Sequence, residues 1–204
     1  IMGAHPYTRV IVEGLEEVYF KHSSEKQLKY ITPLQKFEVN RSDALISIMS
    51  SFNTRELTNI DPKKQAIAQK AAAPLMKKYM ARTAKGEFSW VGCLYPTAAA
   101  AQDAGMSLAD YEDFALAACR LDKKDPVAEW KKLSKYNARL IRYLSRKKEI
   151  RIVAPDTDMT YSTAGRKWIN CDGDNNFPDG EVFTAPHERS ANGHIRFTFP
   201  AVYH

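Results

Sequence analysis

The sequence predicts an α/β fold: a mainly parallel sheet flanked by helices, followed by a β-rich segment that opens a second domain. Three observations carry this. Residues 1 to about 148 alternate short apolar or β-branched runs with longer amphipathic stretches, as strand–helix–strand units do. Two of those runs, Asp43–Ser50 and Glu87–Leu94, are apolar without alternation, which is how a strand covered on both faces reads. From Glu149 onward, short strand-like runs are separated only by turns, the pattern of a meander. A domain border is therefore placed near Lys148, dividing residues 1–148 from 149–204.

Taken in order, Tyr7–Val12 is β-branched and reads as a strand, and Gly14 closes it. Leu15–Leu28 is amphipathic and predicts one helix. The Asp43–Ser50 strand follows, then a polar connection from Asn53. Asp61 is a good N-cap and Pro62 suits a first helical turn, so a helix is expected over Pro62–Ala84, kinked or split at Pro74. The Glu87–Leu94 strand precedes an alanine-rich helix, Ala98–Ala104, stopped by Gly105. Ser107-Leu108-Ala109-Asp110 matches a capping box and starts another helix, to about Leu121. Asp125-Pro126 opens the longest helix, to about Lys148, with Val127, Trp130, Leu133, Ala138, Ile141 and Leu144 recurring at three- and four-residue spacing. Strands are then expected at Ile150–Ala154, Asp158–Ser162, Glu181–Thr184 and His194–Phe199.

Composition limits the function classes. The 204 residues are 44% hydrophobic and 26% charged, ordinary for a globular protein. No apolar run approaches the roughly 18 residues of a membrane helix, so no membrane partner is expected. Cys93, Cys119 and Cys171 are odd in number, widely spaced and outside any CxxC, which argues against a disulfide framework or zinc ribbon and for a reducing cytoplasm. The net charge is +6, but the cations are spread over helices rather than gathered in one block, so no nucleic-acid partner is expected.

Most familiar site motifs fail on spacing. There is no Gly-x-Gly-x-x-Gly, no phosphate-binding loop of the Walker type and no Gly-x-Ser-x-Gly elbow. The acidic loop from Asp172 fails as a calcium loop, because Phe177 stands where the turn glycine is needed and Phe183 where a bidentate glutamate is needed. His187-Glu188 lacks the second histidine of a zinc-protease helix, Ala191 standing at that position. His194 reads as an ordinary strand residue, Arg166-Lys167-Trp168 as a surface strand with one anchored indole, and Arg146-Lys147-Lys148 as a charged helix end.

One stretch remains. The loop Asp172–Asn176 runs into Phe177-Pro178-Asp179-Gly180, a tight turn, and a short strand ended by Pro186 starts at Glu181. A carboxylate held on such a junction is fixed well enough to ligate a metal ion. The run Asn176-Phe177-Pro178-Asp179-Gly180-Glu181-Val182-Phe183-Thr184-Ala185-Pro186, followed by Asn192-Gly193-His194-Ile195-Arg196-Phe197-Thr198, resembles the aminopeptidase T / aminopeptidase S family of dinuclear-metal aminopeptidases.

The resemblance implies that Glu181 is a metal ligand and that the complete protein holds two divalent ions (zinc, cobalt or manganese). It implies a water activated between the ions, peptide substrates, release of N-terminal amino acids and a homodimer. The family's further ligands (a second glutamate, histidines, a tyrosine and an aspartate) match no residue here. The chain is thus expected to be truncated at both ends, consistent with Ile1 in place of Met, and to be inactive alone. Strand edges of the β-rich segment left without partners predict self-association. The rival expectation is a non-catalytic α/β module binding a small ligand or partner at the carboxyl ends of its strands.

Overall fold

The structure, a computed structural model, describes residues 3–197. The chain divides into two compact units, Ile1–Ala115 and Leu116–His204. The change of pattern near Lys148, expected as a domain border, falls inside the second unit.

In the first unit, helix α1 (Leu15–His22) and helix α2 (Glu25–Leu28) replace the single helix expected over Leu15–Leu28. Ser24 breaks it: its hydroxyl accepts from the Gln27 amide and the Gln27 side chain answers the Ser24 amide, so a new helix is capped in mid-sequence. Helix α3 (Pro33–Arg41) was not anticipated. Thr32 caps it by the same reciprocal pair with Gln35, and Pro33 occupies the first turn. Residues 7–12 form no strand. Their β-branched side chains stand in solvent, and Tyr7 and Arg9 bond Glu38 of α3 instead of a neighbouring strand.

The parallel sheet is as expected. Strand β1 (Ala44–Met49) lies parallel to strand β2 (Ser89–Leu94), in register from Ala44 opposite Ser89 to Met49 opposite Leu94. Helix α4 (Pro62–Ala84) makes the crossover, capped by Asp61. It continues through Pro74, so the helix is not split there; a helix of twenty-three residues outweighs one missing donor. Phe20, Leu28 and Ile60 form a small core over which Leu57, Ile67 and Ala68 pack. β1 is not covered on both faces as its sequence suggested: Ile46 is 72% and Ile48 65% exposed. Helix α5 (Ala98–Asp103) is capped by Thr97, and helix α6 (Leu108–Ala118) begins at the Ser107–Asp110 box.

In the second unit, helix α7 (Pro126–Leu144) ends one turn earlier than its basic tail suggested, at a Ser145 C-cap. Strands β3 (Glu149–Ala154) and β4 (Thr157–Ser162) form an antiparallel hairpin, joined through Asp156 at φ 51°. Short strands follow: β5 (Ile169–Asn170), β6 (Asn176–Phe177), β7 (Val182–Phe183) and β8 (Asn192–His194). β5 pairs antiparallel with β7, and β8 adds to β4. Gly193 is required where β8 meets β4: a Cβ there would lie 2.2 Å from the Asp158 carbonyl oxygen. Of the strand expected over His194–Phe199, only His194 is in β8, and Thr198 and Phe199 lie outside the described residues.

Candidate metal centre

The segment around Glu181 is held by one face of α7. Trp130, Leu133, Ser134 and Asn137 recur at helical spacing, and each touches the loop that carries the carboxylate. The Trp130 ring lies 5.4 Å, centroid to centroid, from Phe177, and its Nε1 donates to the Cys119 carbonyl at 3.0 Å. The same ring sits 3.4 Å from where a Cβ on Gly173 would be, and Leu133 takes that place against Gly180. Gly180 itself has φ 141°, a conformation that disfavours side chains and leaves the residue before Glu181 to glycine. The Asn170 amide donates to the Ser134 carbonyl at 3.2 Å.

Two bonds fix Glu181 by its backbone rather than its carboxylate. Its carbonyl accepts from the Cys171 amide at 3.0 Å and from Asn137 Nδ2 at 3.3 Å. Asn137 is 2% exposed, so the second bond is anchored in the interior. The strand begins at Val182 rather than at Glu181, which therefore stands exposed just ahead of the ladder. The Glu181 carboxylate forms no ion pair among the described residues.

This backbone brings three donors together. Ligand atoms of Cys171, Asp179 and Glu181 all lie within 4.8 Å of one another, the single such group among the described residues. Asp179 Oδ1 also accepts from the Gly180 amide at 2.9 Å, leaving its other oxygen for a ligand. Burial pushes the Cys171 thiol pKa up, and the negative charges of Asp179, Glu181 and Asp172 push it further. The same charges would attract a cation, which on binding favours the thiolate. Two carboxylates with a thiol suit a divalent ion such as zinc or cobalt. The residues present therefore fit part of a metal shell.

Sequence reading singled out Glu181 and missed its two neighbours. Asp179 was visible two residues upstream but was read as a turn former. Cys171 carries no local motif, and only the pairing of β5 with β7 brings it beside Glu181. The other candidates go elsewhere. His187 Nε2 donates to the Ala164 carbonyl at 2.8 Å, and Glu188 pairs with Arg166 at 3.1 Å. His194 is exposed in β8. Arg166-Lys167-Trp168 forms no strand, and the buried Trp168 Nε1 has no hydrogen-bond partner among the described residues.

Comparison with known proteins places the chain in a family. Residues 2–204 match the model of the thermophilic metalloprotease (M29) family, so the chain belongs to that metallopeptidase family. Aminopeptidase 2 of Geobacillus stearothermophilus is 28% identical over 219 residues, covering 98% of this chain and 53% of that protein. Wild-type AmpT from Thermus thermophilus shares the fold, with a TM-score of 0.68 at 21% identity over 88% of this chain and 49% of its own. The chain thus spans about half the length of the relatives it matches. Among the described residues, no helix is long and apolar enough to cross a membrane.

Proposed function

We propose that this chain is part of a metal-dependent aminopeptidase that releases N-terminal residues from peptides, and that Glu181 is one of its metal ligands. The observation that carries the reading is the exposed Glu181 carboxylate, in no ion pair among the described residues, on a backbone pinned from the interior by Asn137 and beside two further donors. Membership of a metalloprotease family supplies the class of chemistry. Divalent ions at such a site lower the pKa of a bound water and polarise a peptide carbonyl.

The chain's own residues have defined parts in this reading. Glu181 offers the freest carboxylate. Asp179 braces the bend through the Gly180 amide and offers its second oxygen. Asn137 and the Cys171 amide fix the carbonyl from which the Glu181 side chain is aimed. Three donor atoms are too few for the two zinc, cobalt or manganese ions of a paired site. We place the remaining ligands in the part of the relatives' length that this chain does not span, and infer that the chain alone is inactive. The homodimer and the cytoplasmic setting belong to the same reading of the complete enzyme.

Cobalt titration followed by visible absorption tests the ligand role. Glu181→Gln should weaken cobalt binding about tenfold or more; equal binding by the variant would contradict it. Incubation with zinc, cobalt or manganese and aminoacyl substrates tests the second claim separately. No turnover is expected, and clear turnover by the chain would refute its inactivity.

A further inference from the structure

Helix α7 has a second face that the metal centre does not use. Lys131, Lys135, Arg139 and Arg142 are all exposed on it, and Arg146 continues the row in the turn beyond. At 100° per residue the five fall within an arc of about 80°, nearly opposite the Trp130–Asn137 face, and span about 22 Å. No carboxylate interrupts them. The one acidic residue of α7, Glu129, is paired with Lys132 at 2.6 Å, outside the row. None of the five forms an ion pair among the described residues. Two tyrosines flank the row on one side, Tyr136 at 63% and Tyr143 at 60% exposed. Lys147 Nζ lies 4.5 Å from the centre of the Tyr143 ring.

We propose that this face of α7 binds single-stranded nucleic acid, the cations meeting successive phosphates and Tyr136 and Tyr143 offering rings for bases. Five like charges on one rigid helix face repel one another, and a polyanion relieves that repulsion. Aromatic rings beside the row discriminate between polyanions: every base has a flat face to stack on them, whereas an acidic peptide gains nothing comparable. The composition argued against a nucleic-acid partner because cations are spread along the chain; helical spacing gathers five of them on one face.

The test is fluorescence anisotropy of a labelled 12-nucleotide oligothymidylate with the 204-residue chain, from 50 to 200 mM salt. Five phosphate contacts give a slope of log affinity against log salt of about −3.5. The variant Lys135→Gln/Arg139→Gln/Arg142→Gln should bring the slope to about −1.4 and cost about 100-fold in affinity at 0.1 M salt. Tyr136→Ala should cost at least about fivefold with the slope unchanged. All four positions are exposed, and unchanged circular dichroism would verify the fold. A wild-type slope near zero, or equal binding by the triple variant, would overturn the proposal. Competition by polyglutamate of equal charge as effective as that of unlabelled oligothymidylate would also overturn it, in favour of an acidic protein partner.

Discussion

The β5–β7 segment and the β1–β2 ladder are built on opposite terms. β1 and β2 have the stronger sequence signals, six paired residues each and regular parallel register, yet much of the apolar surface of β1 is open to solvent. β5 and β7 are two residues each, but the loop between them is tied to α7 by an indole, a leucine and two amide side chains. The contrast shows that strand length and backbone pairing do not by themselves decide which segment is tied to a packed helix. The Glu181 backbone is tied to α7 through the Asn137 amide, whereas the apolar face of β1 at Ile46 and Ile48 stands in solvent.

The largest expected effect that could break this comparison is at Trp130. Trp130→Ala removes the contact with Phe177, the packing beneath Gly173 and the bond to Cys119, and should cost about 3 kcal/mol in urea unfolding. A loss below 1 kcal/mol would mean that α7 does not anchor the loop. Asn137→Ala should cost about 1 kcal/mol, because it removes one of the two bonds to the Glu181 carbonyl while the Cys171 amide keeps the other. It should also weaken cobalt binding without touching a ligand; unchanged binding would separate the bend's geometry from α7.

These two residues also show what the sequence conceals. The α7 stripe was legible from periodicity, and Trp130 and Leu133 were named as apolar positions facing inward. Ser134 and Asn137 lie on the same face, but polar residues do not register in an apolar pattern, so the anchoring of the loop was not legible. The parallel β1–β2 pair and the α4 crossover could be read, since strand runs and an Asp-Pro cap are local signals. The split after α1 and the whole of α3 follow from cap chemistry, the Ser24–Gln27 and Thr32–Gln35 boxes, which an apolar pattern does not register. Residues 7–12 have strand composition but no partner strand, and β propensity reports a fit to a pleated surface that must exist elsewhere. Glu181 stands out as a candidate from its run of neighbours, while its nearness to Cys171 is visible only in the β5–β7 pairing.

A smaller effect concerns the thiol. Its raised pKa leaves less thiolate at pH 8, so alkylation of Cys171 by iodoacetamide, with chelator present, should be slower than that of an unperturbed cysteine. Raising the pH should restore the rate. Asp179→Asn removes one of the charges that raise the pKa, so it should speed alkylation at pH 8; a slower reaction would reverse the assigned sign. The smallest effect is expected on the open ladder. Ile46→Ser should change stability by no more than about 0.5 kcal/mol. A loss as large as that at Trp130 would show that the face of β1 is covered in solution.

The most direct measurement is zinc-edge anomalous diffraction from crystals of the chain grown with zinc. The account predicts a peak about 2.0–2.2 Å from a Glu181 carboxylate oxygen, with Asp179 or Cys171 turned toward it. A peak only at His187 or His194, with Glu181 free in solvent, would contradict it.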